Sequence, residues 1–473
     1  LPADDGIDLA VDLSGVASDL DIRRLDFAVN HIVTLKAKGN LTEVFNPARI
    51  GGDIALSGSI LNGRYLKRTF LSPETTLDIP QMAITGRVRA NNGTFGGNVK
   101  VIAEGGTVAL DGLWRSRSED YKADVSVGAF PVSSIMPLLG VGKVSGTLTA
   151  SGHGYDPFSP KTSADARLSL ASAVYNGYEY KDIEADATLR DGKADVRLVS
   201  TDPSLPVTAQ ASGNLAGDVY EWTAAVDGED IDLRSLKFSE SDMKVSLSLT
   251  ADAAITPKDK IIDGRVTLED LTLERPEGDI AVSDILAHLS ANDSLTDLSL
   301  TNRDLNARFT AYCSLDSLMT AFGNVSAVVD SQMTKRRIDV EQIHDALPGL
   351  VFDMRAGRNN FVNDILATSK TGFSHLSLTA DNDITLRLNS QMLGFVTGTT
   401  RLDTITFGAR QHNEHLHFTG AVNNRPGTFD DFAKVKVDGF ATRNIAALRL
   451  TQQNIKGKEG FDFGLKAEVS DSL

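Results

Sequence analysis

The chain has 473 residues, 41% hydrophobic and 23% charged, a balance that excludes both a disordered tail and a membrane-embedded bundle. Its formal charge of −16 repels phosphate and argues against nucleic acid as a partner. A single cysteine, Cys313, excludes an internal disulfide, and no metal-ligand spacing surrounds it.

The sequence opens LPADDGIDLAVDLSG, already in strand-like alternation and without the basic and apolar regions of a signal peptide. No run of about eighteen apolar residues follows, so no segment reads as a membrane-spanning helix. The expectation is a piece of a longer protein whose signal or anchor lies outside it. The first 119 residues read mostly as strand, as in GGDIALSGSI from Gly51 and MAITGRVRANNGTFGGNVKVIAEGGTVALDG from Met82.

From Tyr121 the elements become specific. FPVSSIMPLLG predicts one short helical turn before Pro137. KVSGTLTASG then places Val144, Gly146, Leu148 and Ala150 on one face of a strand, with Ser145, Thr147, Thr149 and Ser151 on the other. KDIEADATLRDGKADVRLVS, Lys181 to Ser200, reads as a hairpin closed by a two-residue type I′ turn at Asp191-Gly192. Its register follows: Leu189 faces Ala194, Ala187 faces Val196, Ala185 faces Leu198, and on the other face Asp186 lies opposite Arg197 as an attractive pair.

The same elements recur about a hundred residues later. KVSLSLTADA from Lys244 repeats the strand, with Val245, Leu247, Leu249 and Ala251 on the dry face. SDILAHLSANDSLTDLSLTN, Ser283 to Asn302, aligns without gaps on the hairpin, so that Ile183, Ala185 and Leu198 meet Ile285, Ala287 and Leu300. The reading is a β-rich partial repeat over 1–119, one repeat block over 120–219, a second over 220–320, and a divergent third over 321–473 with helical insertions. In the third block DVEQIHDALPGL and NNFVNDILATS read as short helices capping a sheet. LDTITFGARQHNEHLHFTGAV from Leu402 reads as its hairpin, with the turn near His412 and Asn413 and the register open by one residue.

Chemical motifs are weak. GVGKVSG at Gly140 lacks the Ser or Thr and the earlier glycine of a phosphate loop and runs into a strand, so Gly140 and Gly142 read as turn residues. His412, His415 and His417 lie close, but polar positions beside a turn explain them better than zinc does. The acidic stretches at Ser239 and Asp381 are too short for a calcium loop and read as solvated turns. No triad or carboxylate pair has supporting context. The expectation is a protein that is not an enzyme and needs no cofactor or metal.

The succession of a Pro131…Leu138-Leu139 corner, the Val144–Gly152 strand, the Asp156-Pro157 loop, the Ala166–Ala173 strand and the Ile183–Gly192 hairpin resembles the AsmA-like superfamily, TamB-like members in particular. The resemblance is strongest over Tyr121–Thr201 and extends over Tyr220–Asn302. It departs where Leu247 replaces the central glycine and where the third block carries helices. It implies an all-β fold with few short helices: a long antiparallel repeat sheet curled into a taco-shaped or solenoid-like groove with an apolar inner face. It also implies a conduit for phospholipid in the periplasm of a diderm bacterium, anchored at the inner membrane by a segment outside this chain. A partner of the outer-membrane barrel-insertase type comes with it.

Residue by residue, a single sheet with one apolar face needs something to cover that face. Small residues such as Gly146, Ala185, Ala187 and Ala194 leave room for acyl chains. The side chains assigned to the groove are Val144, Leu148, Ile183, Ala185, Ala187, Leu189, Ala194, Val196, Leu198, Leu249, Ile285, Ala287, Leu289, Leu298, Leu300, Phe407 and Phe418. At about 4.8 Å per strand, roughly thirty strands would make a rail on the order of 140 Å. A scaffold for outer-membrane protein assembly by strand templating is the alternative. An extracellular β-repeat adhesin ranks last, because aromatic residues are only 6% of the chain and sugar platforms use more.

Overall fold

The two-residue alternation is realised along most of the chain. The computed structural model describes residues 6–16, 18–46, 49–72, 75–276, 278–335, 338–425, 434–454 and 456–468, and these form 28 strands. The fold is all-β, and every ladder among the described residues is antiparallel. The chain divides into two compact units, residues 1–217 with 224–245 and residues 218–223 with 246–473.

The first unit opens with β1 (Ile7–Val16), β2 (Asp19–Val29), β3 (Val33–Thr42) and β4 (Gly51–Ile60). After α1 (Gly63–Phe70) come β5 (Met82–Asn91), β6 (Thr94–Ala103), β7 (Gly106–Arg115) and β8 (Asp120–Pro131). Then follow β9 (Val141–His153), β10 (Ser163–Tyr175), β11 (Tyr178–Arg190), β12 (Lys193–Asp202) and β13 (Leu205–Asn214). Each strand from β1 to β12 pairs with its successor. Among the described residues β1 has β2 as its one ladder partner, so this sheet has an open edge and is not a barrel. The unit boundary runs through β14 (Tyr220–Asp232) and β15 (Lys244–Thr256).

The second unit continues with β16 (Ile261–Glu274), β17 (Ile280–Ala291), β18 (Thr296–Asn302), β19 (Leu305–Ala311), α2 (Leu315–Lys335), α3 (Val340–Ala346) and β20 (Leu350–Ala356). Next come α4 (Phe361–Ala367), β21 (Thr371–Gly372), β22 (His375–Asn382), β23 (Leu386–Thr397), β24 (Thr400–His412) and β25 (His415–Asn423). It ends with β26 (Lys434–Thr442), β27 (Ile445–Gln453) and β28 (Glu459–Glu468), the last pairing with β27 alone.

The first hairpin has the expected register, with Ala187 opposite Val196 and Ala185 opposite Leu198. Asp191 and Gly192 have φ of 53° and 72°, the left-handed pair of a type I′ turn. A Cβ on Gly192 would lie 2.5 Å from that of Ala216. Gly192→Ala is therefore expected to cost about 1–3 kcal/mol, read as a lower urea midpoint; an unchanged midpoint would deny the turn this role. The second hairpin keeps the register, Leu289 opposite Leu298 and Ala287 opposite Leu300. It lacks the glycine, and its turn is held by the Asn292 side chain, which accepts from the Ser294 and Leu295 amides. Two backbone kinks recur at aligned places: Asp182 and Asp284 have φ of 51° and 59°, and Ala129 and Asp230 have φ of 46° and 52°. In the third hairpin His412 pairs with His415 and Asn413 takes the left-handed turn position, which resolves the open register.

Several expectations need correction. Asp186 does lie opposite Arg197, but its carboxylate is held by Arg167 of the other neighbouring strand at 2.6 Å. Gly140 closes a 3-10 turn, Pro137–Leu139, whereas Gly142 is inside β9. The helices are not all short: α2 has 21 residues, and the 320/321 block boundary falls inside it. The α1 helix also forms, its first turn capped by Asn62 Oδ1 accepting from the Tyr65 amide.

The α2 helix lies along strand ends. Leu318, near its start, is buried against Ala311 and Leu350 of β19 and β20. Just beyond its end, Ile338 bridges to Arg443 in the β26–β27 turn. Its 21 residues span about 31 Å at ~1.5 Å each, close to the ~29 Å of six strand spacings. The α3 helix follows, with Val340 buried and His344 Nδ1 2.6 Å from Asn382 Oδ1. The α4 helix packs Phe361, Val362 and Leu366 on Leu305, Ala356 and Phe373.

Burial is placed unusually. In the first unit the buried apolar residues include Ile32, Ala103, Phe130, Leu215 and Leu236, all at strand ends or in connections. In the second they include Ile280, Ala291, Leu305, Ala311, Leu350, Ala356 and Ala441, again at strand ends. The packed material sits at the margins of the sheets and not over their middles.

Candidate functional site

Residues directly opposite in an antiparallel ladder project to the same side. The ladders of the first unit therefore thread one row through all thirteen strands: Val11, Leu25, Ala37, Leu56, Gly86, Val99, Leu110, Val125, Leu148, Leu168, Ala185, Leu198 and Ala209. None is polar. Two residues to one side runs Ala123, Ala150, Ala166, Ala187, Val196 and Ala211. Two residues to the other runs Val101, Val108, Val127, Gly146, Leu170 and Ile183.

The opposite face is charged. There Arg87, Asn98, Asp111, Asp124, Thr149, Arg167, Asp186 and Arg197 form a row. Arg87 grips Asp53 through two hydrogen bonds of 2.6 and 2.8 Å, which hold the Asp53 carboxyl below its usual range. A cavity of about 690 Å³ crosses β4 to β9, and most of its lining residues, Arg87, Lys100, Asp111 and Asp124 among them, belong to this charged face.

The second unit has its own apolar rows. One runs Gly264, Leu289, Leu298, Phe309, Phe352, Ala380, Leu388, Ala409, Phe418, Gly439, Leu448 and Leu465. Beside it run Val266, Ala287, Leu300, Ala307, Met354, Leu378, Ser390, Phe407, Gly420, Val437, Leu450 and Phe463, with Ser390 the one polar member. Phe322 of α2 packs on this face, its ring centroid 6.2 Å from that of Phe309.

Sixteen of the seventeen residues named from sequence thus fall on two apolar faces, one in each unit. Val144, Leu148, Ile183, Ala185, Ala187, Leu189, Ala194, Val196 and Leu198 share the face of the first unit, where Val144 stands opposite Phe130 and Ala173. Ile285, Ala287, Leu289, Leu298, Leu300, Phe407 and Phe418 share the face of the second. Leu249 lies half-buried on β15, which no described ladder joins to either row. Sequence reading missed Leu56, Val99, Leu110 and Val125, although their period-two alternation is plain in IALSGS, NVKVIA, TVALDG and ADVSVG; it missed Phe309 and Phe352 because their strands are only seven residues long.

The middles of these faces stay open, although α2 and α4 pack on part of the second. Leu110, Leu148 and Val196 in the middle of the first retain 40%, 39% and 40% of their accessible surface, and Leu298 in the second retains 42%. Ordinary sheet cores bury such residues almost fully. Glycine brings the backbone close on the same face: a Cβ on Gly146 would lie 2.5 Å from the Ser169 carbonyl oxygen, and one on Gly97 would lie 2.2 Å from that of Arg87. Such positions let a strand bend sharply.

Other candidates hold less. The His412, His415 and His417 rings gather with Phe440 at the surface, and among the described residues no His, Cys, Asp or Glu group could hold a metal ion. Cys313 is half-buried beside Ala311 and Leu350, and burial pushes its thiol pKa up. No described helix is long and apolar enough to cross a membrane. Comparison with protein-family models, curated proteins and solved structures finds no match to this chain.

Proposed function

We propose that this chain is a non-enzymatic conduit that carries phospholipid along its apolar faces, working in the periplasm between the inner and outer membranes of a diderm bacterium. One observation carries the reading: an unbroken apolar row, one side chain per strand, crosses the sheet of the first unit, and Leu110 and Leu148 in its middle, with Val196 beside them, keep about 40% of their surface exposed. An exposed apolar surface of this extent marks a binding site. The resemblance of the repeat to AsmA-like proteins supports the same reading and supplies the compartment and the inner-membrane anchor.

The mechanism is passive. Acyl chains lie on the rows while head groups stay in water. Each buried CH₂ contributes about 0.8 kcal/mol whatever its neighbour, so a chain is held without a specific contact and advances in small steps. Small residues such as Ala150, Ala166 and Ala187 leave space where close packing would otherwise fix one position.

A photoreactive amino acid tests this in cells. At Leu148 or Leu298 it should crosslink to phospholipid; at Thr147 or Ser299, on the other face, it should not. Equal labelling from both faces would refute the reading. The scaffold alternative draws on the open edges of β1 and β28, each with one ladder partner. It requires crosslinks from those strands to another polypeptide and none from the rows to lipid.

A further inference from the structure

The apolar face of the first unit ends in aromatic rings. Phe95, Trp114, Tyr121 and Gly152 stand opposite one another across β6 to β9, on the face that holds Leu110 and Leu148. Phe95 stacks on Trp114 with centroids 5.2 Å apart, and Tyr121 stacks on Tyr155 at 6.2 Å. The Trp114 indole N–H donates to the Tyr155 hydroxyl and joins the two pairs. Gly152 makes room for Tyr121: a Cβ there would sit 2.4 Å from the phenol oxygen. Trp114 and Tyr155 remain 43% and 56% exposed.

The next ladder pair, Arg115 with Asp120, projects to the opposite face, and the β7–β8 turn beyond it carries Arg117. Arg115 lies 3.5 Å from Asp120, and Asp120 also receives hydrogen bonds from Ser118 and His153. Those bonds, Ser118 first, hold the Asp120 carboxyl below its usual range, so it stays ionised and matched to Arg115. Arg117 differs. Its guanidinium donates to Asn92 Oδ1 at 2.8 Å and has no carboxylate partner among the described residues.

The order outward is therefore hydrocarbon row, amphipathic ring, uncompensated cation. Trp and Tyr favour boundaries where one end is apolar and the other wet. A guanidinium suits phosphate. We propose that this patch seats the junction between chains and head group of an anionic phospholipid, with the phosphate at Arg117, the glycerol region over Trp114 and Tyr121, and the tails on the row of Leu110 and Leu148. The inference rests on the conduit reading and adds to it a defined station and a preferred head-group charge.

Trp114 can report on its own occupancy. The chain has two tryptophans, so Trp222→Phe leaves Trp114 as the only one. The probes are phosphatidylglycerol molecules brominated at different depths of the acyl chain, since bromine quenches indole fluorescence on contact. Quenching should be strongest for bromines nearest the glycerol. Arg117→Glu should weaken phosphatidylglycerol binding about tenfold and leave diacylglycerol binding unchanged. Quenching that is uniform or strongest at the chain end, or equal binding by the Arg117 variant, would overturn the proposal. Lipid found bound by mass with no quenching of Trp114 overturns this station alone; no bound lipid at all overturns it together with the conduit.

Discussion

Replacing Val196 with Asp should strip phospholipid from the protein and leave the sheet folded. Val196 sits in an apolar row between Ala187 and Ala211 and is 40% exposed. A carboxylate there still reaches water in the empty protein, so folding loses little. With an acyl chain on the row, the carboxylate must be desolvated or protonated at a cost of several kcal/mol. Binding should fall by well over tenfold. The neighbouring change Arg197→Asp lies on the charged face, opposite an Asp186 that Arg167 already holds. It should alter stability by about 1 kcal/mol or less and leave lipid content unchanged. Lipid per mole of purified protein, with circular dichroism as the check on folding, compares the two. Equal lipid in both folded variants would favour strand templating over lipid transport.

The second large effect separates the packed strand ends from the open rows. Leu305 is 1% exposed at a strand end, packed against Ala356, Phe373 and the α4 helix. Leu305→Ala should cost about 2–5 kcal/mol, because the removed atoms leave a cavity that helix and strands fill only in part. Leu298→Ala, in the open row, should cost about 1 kcal/mol or less, since Leu298 is 42% exposed and leaves no closed cavity. Urea unfolding measures both. Similar losses would mean that the row is a packed core under these conditions, contrary to its exposure.

Much of the sheet was legible because strand alternation and turn chemistry are local. Asp191-Gly192 determines a hairpin, the hairpin determines register, and register determines that Ala187 and Val196 share a face. The partner of Asp186 was not legible, because Arg197 and Arg167 flank it equally in register and only side-chain geometry selects Arg167. The α2 helix was missed although Leu315, Leu318, Phe322, Val325 and Val329 carry a helical period, and the boundary of the third block, 320/321, falls inside it. The concentration of burial at strand ends was invisible for a different reason. Leu305 and Ala311 are buried by α4 and α2, elements that follow them in the chain, and nothing in a seven-residue strand announces which end a later helix will cover.

Native mass spectrometry of the chain purified from a diderm host, with lipid extraction from the same sample, tests the central claim most directly. The account predicts phospholipid bound to the folded protein, displaced by detergent, and lost from the Val196→Asp variant but not from the Arg197→Asp variant. Folded, monodisperse protein that carries no lipid and takes none up from phospholipid vesicles would contradict it.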